Sequence, residues 1–104
     1  QAPDALTGAG TLAKLVRQAG RRCAILAGGG VNLGNVAEVI RRSGVVEVHA
    51  SLRGVQPTAM HVRPPSVSLG AAPDWPADAI PVADQAKVAA VAALLRSLPA
   101  ADGA

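Results

Sequence analysis

The sequence predicts an α/β fold with parallel strands, cut from a larger sheet or barrel, and three observations carry that prediction. Cys23-Ala24-Ile25-Leu26-Ala27 is a short continuous apolar run, the pattern of a strand buried on both faces in a parallel sheet. A glycine turn, Gly28-Gly29-Gly30, then a helical stretch and a second strand, Val45 to Ser51, follow at once; strand, turn, helix and strand within about 30 residues make a βαβ unit. Two parallel strands against three helices leave both sheet edges open, which a self-sufficient domain avoids. The chain therefore reads as a single partial domain, residues 1–104, whose other strands lie elsewhere.

Each element has a local cause. Asp4 is placed to cap a first helix, with Leu6, Leu12, Leu15 and Val16 as its apolar stripe and Gly20 at its end. Gly8 and Gly10 weaken the first turns of that helix. After the glycines, Asn32 is placed to cap a second helix with the stripe Leu33, Val36, Val39 and Ile40, and Gly44 stands where a left-handed C-terminal residue is wanted. Residues 52–83 hold six of the eight prolines and form a long loop, with short extended pieces at Met60 to Arg63 and Ser66 to Leu69. Asp84 caps a last helix with the face Val88, Val91, Leu94, Leu95 and Leu98; Pro99 stops it and the final residues fray.

The second strand holds the chemistry. Alternation puts Val46, Val48 and Ala50 on one side and Val45, Glu47, His49 and Ser51 on the other. A carboxylate, an imidazole and a hydroxyl stand in one row. On a wet surface that row means nothing; enclosed, each group needs a partner and the row is a candidate site.

Composition narrows the function classes. Half of the 104 residues are hydrophobic, with one Trp and no Phe or Tyr, so the core must be packed by Ala, Val and Leu. The most apolar windows, Cys23 to Val31 and Val36 to Ile40, fall well short of the roughly 20 residues needed to cross a bilayer. No secretion signal stands at the N-terminus, and a single Cys suits a reducing compartment. The net charge of +3 invites a nucleic-acid reading, but Arg21-Arg22 and Arg41-Arg42 fall at helix ends, where cations complement the helix dipole. No aromatic platform accompanies them. We expect no membrane and no nucleic-acid partner, and a small anion as the better use of the positive field.

Taken together, Gln1 to Gly8 (QAPDALTG), Ala27-Gly28-Gly29-Gly30-Val31, Asn35-Val36, Glu47-Val48-His49-Ala50-Ser51, Met60-His61-Val62-Arg63 and Val82 to Lys87 resemble the C-terminal part of the CutC copper homeostasis family. The resemblance covers nearly the whole chain. It implies a (β/α)8 TIM-type barrel of roughly 250 residues, of which this chain is the C-terminal fragment: sixth helix, seventh strand and helix, eighth strand and helix. It also implies a cytoplasmic, self-associating protein linked to copper tolerance, whose first partner is the N-terminal remainder of the same barrel. In such a barrel Glu47, His49 and Ser51 face the interior, with Ser51 at the C-terminal rim.

Three chemistries compete for these residues. Copper, the cofactor implied by the resemblance, takes thiolate, thioether and imidazole ligands. His49, Met60 and His61 are the candidates, while Cys23 lies roughly 10 Å further along the barrel and reads as a buried small hydrophobe. An anion or phosphorylated metabolite is the alternative, held by Gly28, Gly29 and Gly30 with Ser51, Arg53 and Arg63; the glycines equally serve as a plain sharp turn. General acid/base catalysis by Glu47 and His49 is the third, against a structural network filling the barrel centre. Trp75 either lids a ligand or pins the loop. No Ser-His-Asp order or metalloprotease motif is present.

Overall fold

The computed structural model describes residues 2–57 and 79–99. Asp4 opens a turn rather than the first helix: its Oδ1 accepts from the Thr7 N–H at 2.7 Å, and the helix proper, α1, is Ala9–Ala19 with Gly8 at its N-cap. Gly8 stands at the late start, since glycine loses more backbone freedom on entering a helix than any other residue, while Gly10 is taken into the first turn. At the far end the Gly20 N–H bonds the Val16 carbonyl at 3.1 Å with φ at +57°. Arg22 Nη2 donates to the Gln18 carbonyl at 2.8 Å, so a cation does meet the carbonyl end of the helix.

The first strand is much shorter than its apolar run. β1 is Leu26–Ala27 and β2 is Glu47–Val48, paired in parallel as Leu26 with Glu47 and Ala27 with Val48. The ladder continues into the His49 N–H, which donates to the Ala27 carbonyl at 2.7 Å. Cys23 and Ala24 lie exposed ahead of it, which corrects the reading of Cys23 as a buried hydrophobe. Only one face of β1 is covered: Ala27 is fully buried, whereas Leu26 is 56% exposed.

Between the strands runs α2, Val36–Ser43. Its apolar face is Val36, Val39 and Ile40, while Leu33 sits in the preceding turn, 50% exposed, and is not part of the stripe. Gly44 takes the left-handed conformation expected of it, φ +76°, and its N–H bonds the Ile40 carbonyl at 2.8 Å. The buried Ser43 hydroxyl donates to the Val39 carbonyl at 2.6 Å and accepts from the Val45 N–H at 3.3 Å. That local bond turns Val45 into the core and Val46 out, 2% and 63% exposed. The expected alternation therefore begins at Glu47, not at Val45.

The stretch 52–83 carries strands at both of its ends. β3, Arg53–Pro57, and β4, Ala79–Ala83, pair antiparallel from Arg53 with Ala83 to Pro57 with Ala79. The extended pieces expected at 60–63 and 66–69 lie outside the described residues. Leu52 links β2 to this hairpin with φ at +48°, and its carbonyl accepts from the Asp84 N–H at 2.9 Å. Asp84 then caps α3, Gln85–Ser97, through Oδ1 and the Lys87 N–H at 3.0 Å, as its position predicted.

The helices cover one side of the β1–β2 pair. Ala5, Ala27, Val31, Val36, Val39 and Val45 form the core, with Leu12, Val16, Leu94 and Leu95 packed around it. Among the described residues no fully buried side chain is larger than valine; the core is built from small aliphatic side chains as expected, with the leucines only partly buried around it.

Candidate functional site

The residues of chemical interest lie on the uncovered face of the parallel pair. Leu26 and Glu47 are partners in register, so they share that face; the next positions along the two strands, Gly28 and His49, share it as well. Gly28 lies alongside the imidazole: a β-carbon there would stand 3.4 Å from His49 Cβ and 3.6 Å from Nδ1. Glu47, His49 and Ser51 are all exposed, while Val48 and Ala50 on the opposite side are partly buried against the core. Glu47 and His49, two residues apart, are about 7 Å apart along the strand.

The glycine turn has a structural basis independent of any ligand. Gly29 and Gly30 adopt φ of +105° and +67°, conformations that strain a residue with a side chain. They also pack on the N-terminal turn: the Ala5 N–H donates to the Gly29 carbonyl at 2.9 Å, and a β-carbon at Gly30 would stand 3.4 Å from Asp4 Cβ. Hydrogen bonds from the Thr7 N–H and the Thr7 hydroxyl, with a weaker one from the Leu6 N–H, hold the Asp4 carboxyl below its usual range.

Two asparagines close the turn from the other side. The expected helix cap, Asn32, instead bonds the Gly34 N–H through Oδ1 at 2.8 Å, while Asn35 is the residue at the α2 N-cap. Asn35 accepts from the Asn32 N–H at 2.9 Å and donates from Nδ2 to the Gly30 carbonyl at 2.9 Å. The role of Asn35 is the part of the site that residue reading missed; the signal was an Asn-x-x-Asn spacing directly after a glycine run. Between them the two asparagines occupy two backbone donors of the turn, Asn35 Oδ1 taking the Asn32 N–H and Asn32 Oδ1 the Gly34 N–H.

The other candidates are scattered. Arg53 opens β3, exposed, with its carbonyl bound by Lys87 Nζ at 2.7 Å. Met60, His61, Arg63 and Trp75 lie outside the described residues. Among the described residues no three His, Cys, Asp or Glu side chains gather to hold a metal ion. His49 and Glu47 alone do not complete a copper site, and exposed Cys23 lies five residues before Gly28 along the chain.

The sequence profile of the CutC family matches residues 1–54, just over half of the chain, from the Asp4 turn through β2 to Gly54. The chain belongs to the CutC family. A family protein CutC of Caulobacter vibrioides is 43% identical over 95 residues, covering 91% of this chain and 37% of that relative. One from Mesorhizobium japonicum is 48% identical over 71 residues, 67% of this chain and 27% of its own length, and one from Vibrio parahaemolyticus is 38% identical over 95 residues, 91% and 38%. The chain thus spans less than two-fifths of the length of the curated CutC relatives it matches. Similarity to CutC proteins also runs beyond the profile match into the hairpin and α3. No helix among the described residues is long and apolar enough to cross a membrane.

Proposed function

We propose that this chain is one section of a CutC-type (β/α)8 barrel, that the uncovered sheet face lines the interior of that barrel, and that the protein serves copper homeostasis in the cytoplasm. The observation that carries the reading is the placement of Gly28 and His49 side by side on the uncovered face, just past the last paired residues of two parallel strands. Ligands of parallel α/β folds bind beyond the C-terminal strand ends. His49 is then the residue of this section that meets the copper cargo, since imidazole serves copper in either oxidation state. Glu47 stands one layer deeper and keeps the ring oriented through the polar network of the interior. The remaining ligands come from the rest of the barrel and from Met60 or His61.

Cu(I) titration of the intact protein tests this. Stoichiometric binding that is lost in His49→Ala and kept in Cys23→Ala is the expected result. Absence of binding, or binding that survives His49→Ala, overturns the assignment.

A further inference from the structure

The three glycines after β1 are not there for one reason. Gly29 and Gly30 hold a positive φ that strains a side chain, whereas Gly28 does not. A left-handed backbone is therefore not what places glycine at 28. The neighbouring side chain supplies another cause. The three atoms nearest to a β-carbon at Gly28 all belong to His49: Cβ at 3.4 Å, Nδ1 at 3.6 Å and Cγ at 3.8 Å. The imidazole thus lies with its Nδ1 edge beside the glycine, and Nε2 stands further off. Among the described residues no carbonyl or carboxylate accepts from the ring.

We propose that Gly28 is a positioning residue for the copper cargo: its missing side chain keeps the Nδ1 edge of His49 uncovered, and Nδ1 is the nitrogen that binds the metal. The inference rests on the reading of His49 as a copper ligand and adds the binding atom and the reason for the glycine. A histidine that binds a metal through one nitrogen donates its other N–H to a carbonyl, a carboxylate or water, which fixes the tautomer. With copper on Nε2, the Nδ1–H would face Gly28, which brings no side chain to accept it. With copper on Nδ1, the methyl-sized space at Gly28 gives the metal its approach, and the Nε2–H is left for the polar groups of the barrel interior.

Imidazole ¹⁵N spectra of the intact protein, recorded with and without Cu(I) and assigned through His49→Ala, test this. The expected result is that Cu(I) moves the His49 Nδ1 resonance to a metal-bound position while Nε2 stays protonated. Gly28→Ala adds a methyl group at ordinary contact distance with no left-handed strain. Its circular dichroism spectrum should therefore match the wild type, while its Cu(I) affinity falls by about tenfold or more. The wild-type spectrum needs no change at position 28, so it decides the binding atom even where Gly28→Ala lowers stability. Coordination through Nε2, or wild-type affinity in Gly28→Ala, overturns the proposal and leaves His49 standing as a ligand. Cu(I) binding that is absent, or that survives His49→Ala, overturns the reading of His49 and this proposal with it.

Discussion

Gly54→Ala should destabilise the protein although alanine is the better strand residue. A β-carbon at Gly54 would stand 2.9 Å from Asp84 Oδ2 and 3.3 Å from Asp84 Cβ, closer than real side chains approach. The carboxylate cannot simply step aside, because its other oxygen accepts the Lys87 N–H at 3.0 Å and caps α3. Moving it forfeits a cap worth about 1 kcal/mol and pushes Asp84 off its rotamer at a similar cost. Replacing a strand glycine recovers roughly 0.5–1 kcal/mol. The balance is a loss of about 1 kcal/mol. In an Asp84→Ala background the carboxylate contact and the cap are gone and only the tight 3.3 Å contact with the β-carbon of residue 84 remains, so the same Gly54→Ala change should be close to neutral, within about 0.5 kcal/mol. Urea denaturation of the four combinations, with hydrogen exchange at the Lys87 amide, measures this difference. An effect of the same sign and size in both backgrounds would refute the geometry, since contacting residues must show coupling and separate ones must not.

Further outcomes follow from burial and charge. Val39→Ala, at a fully buried position, should cost about 2 kcal/mol by urea denaturation, whereas Leu33→Ala in the exposed turn should stay within about 0.5 kcal/mol. Because hydrogen bonds from the Thr7 N–H, the Thr7 hydroxyl and the Leu6 N–H lower the folded Asp4 pKa, its stabilising contribution is present above the ordinary aspartate range. It is lost as pH falls through the lowered folded value. Asp4→Asn should remove that acid limb from a stability-against-pH curve, and an unchanged limb would contradict the role given to the Thr7 contact. Glu38→Gln, which removes exposed pairs to Arg41 and Arg42 at 3.8 and 3.9 Å, should shift stability by less than about 0.5 kcal/mol.

Features governed by near neighbours were legible in the sequence. Asp84 caps the last helix, Gly44 takes the left-handed turn, and Glu47 and His49 share the face that alternation assigns them, because each depends on residues within one turn or one strand step. Features governed by distant partners were not. The apolar run at Cys23 promised a five-residue strand, but strand length is set by the ladder, and β2 offers only two residues to pair. Val45 and Val46 exchanged places because of one hydroxyl, Ser43, bonding the Val45 N–H. The β3–β4 pairing joins two proline-bearing segments far apart in sequence, and no local pattern records that register. At the candidate site the face of the polar row was readable, whereas the asparagine pair that closes the glycine turn emerged only from the geometry.

On the barrel reading, the sheet face bearing Leu26, Glu47 and His49 is interior in the complete protein. The rate of thiol labelling at Leu26→Cys, in a Cys23→Ala background, measures this. Leu26 is 56% exposed in this chain, so labelling of the 104-residue chain should be close to that of an unfolded control. In the intact protein it should slow by on the order of a hundredfold or more, as opening of a covered sheet becomes limiting. Equal labelling rates in the chain and in the intact protein would contradict the account.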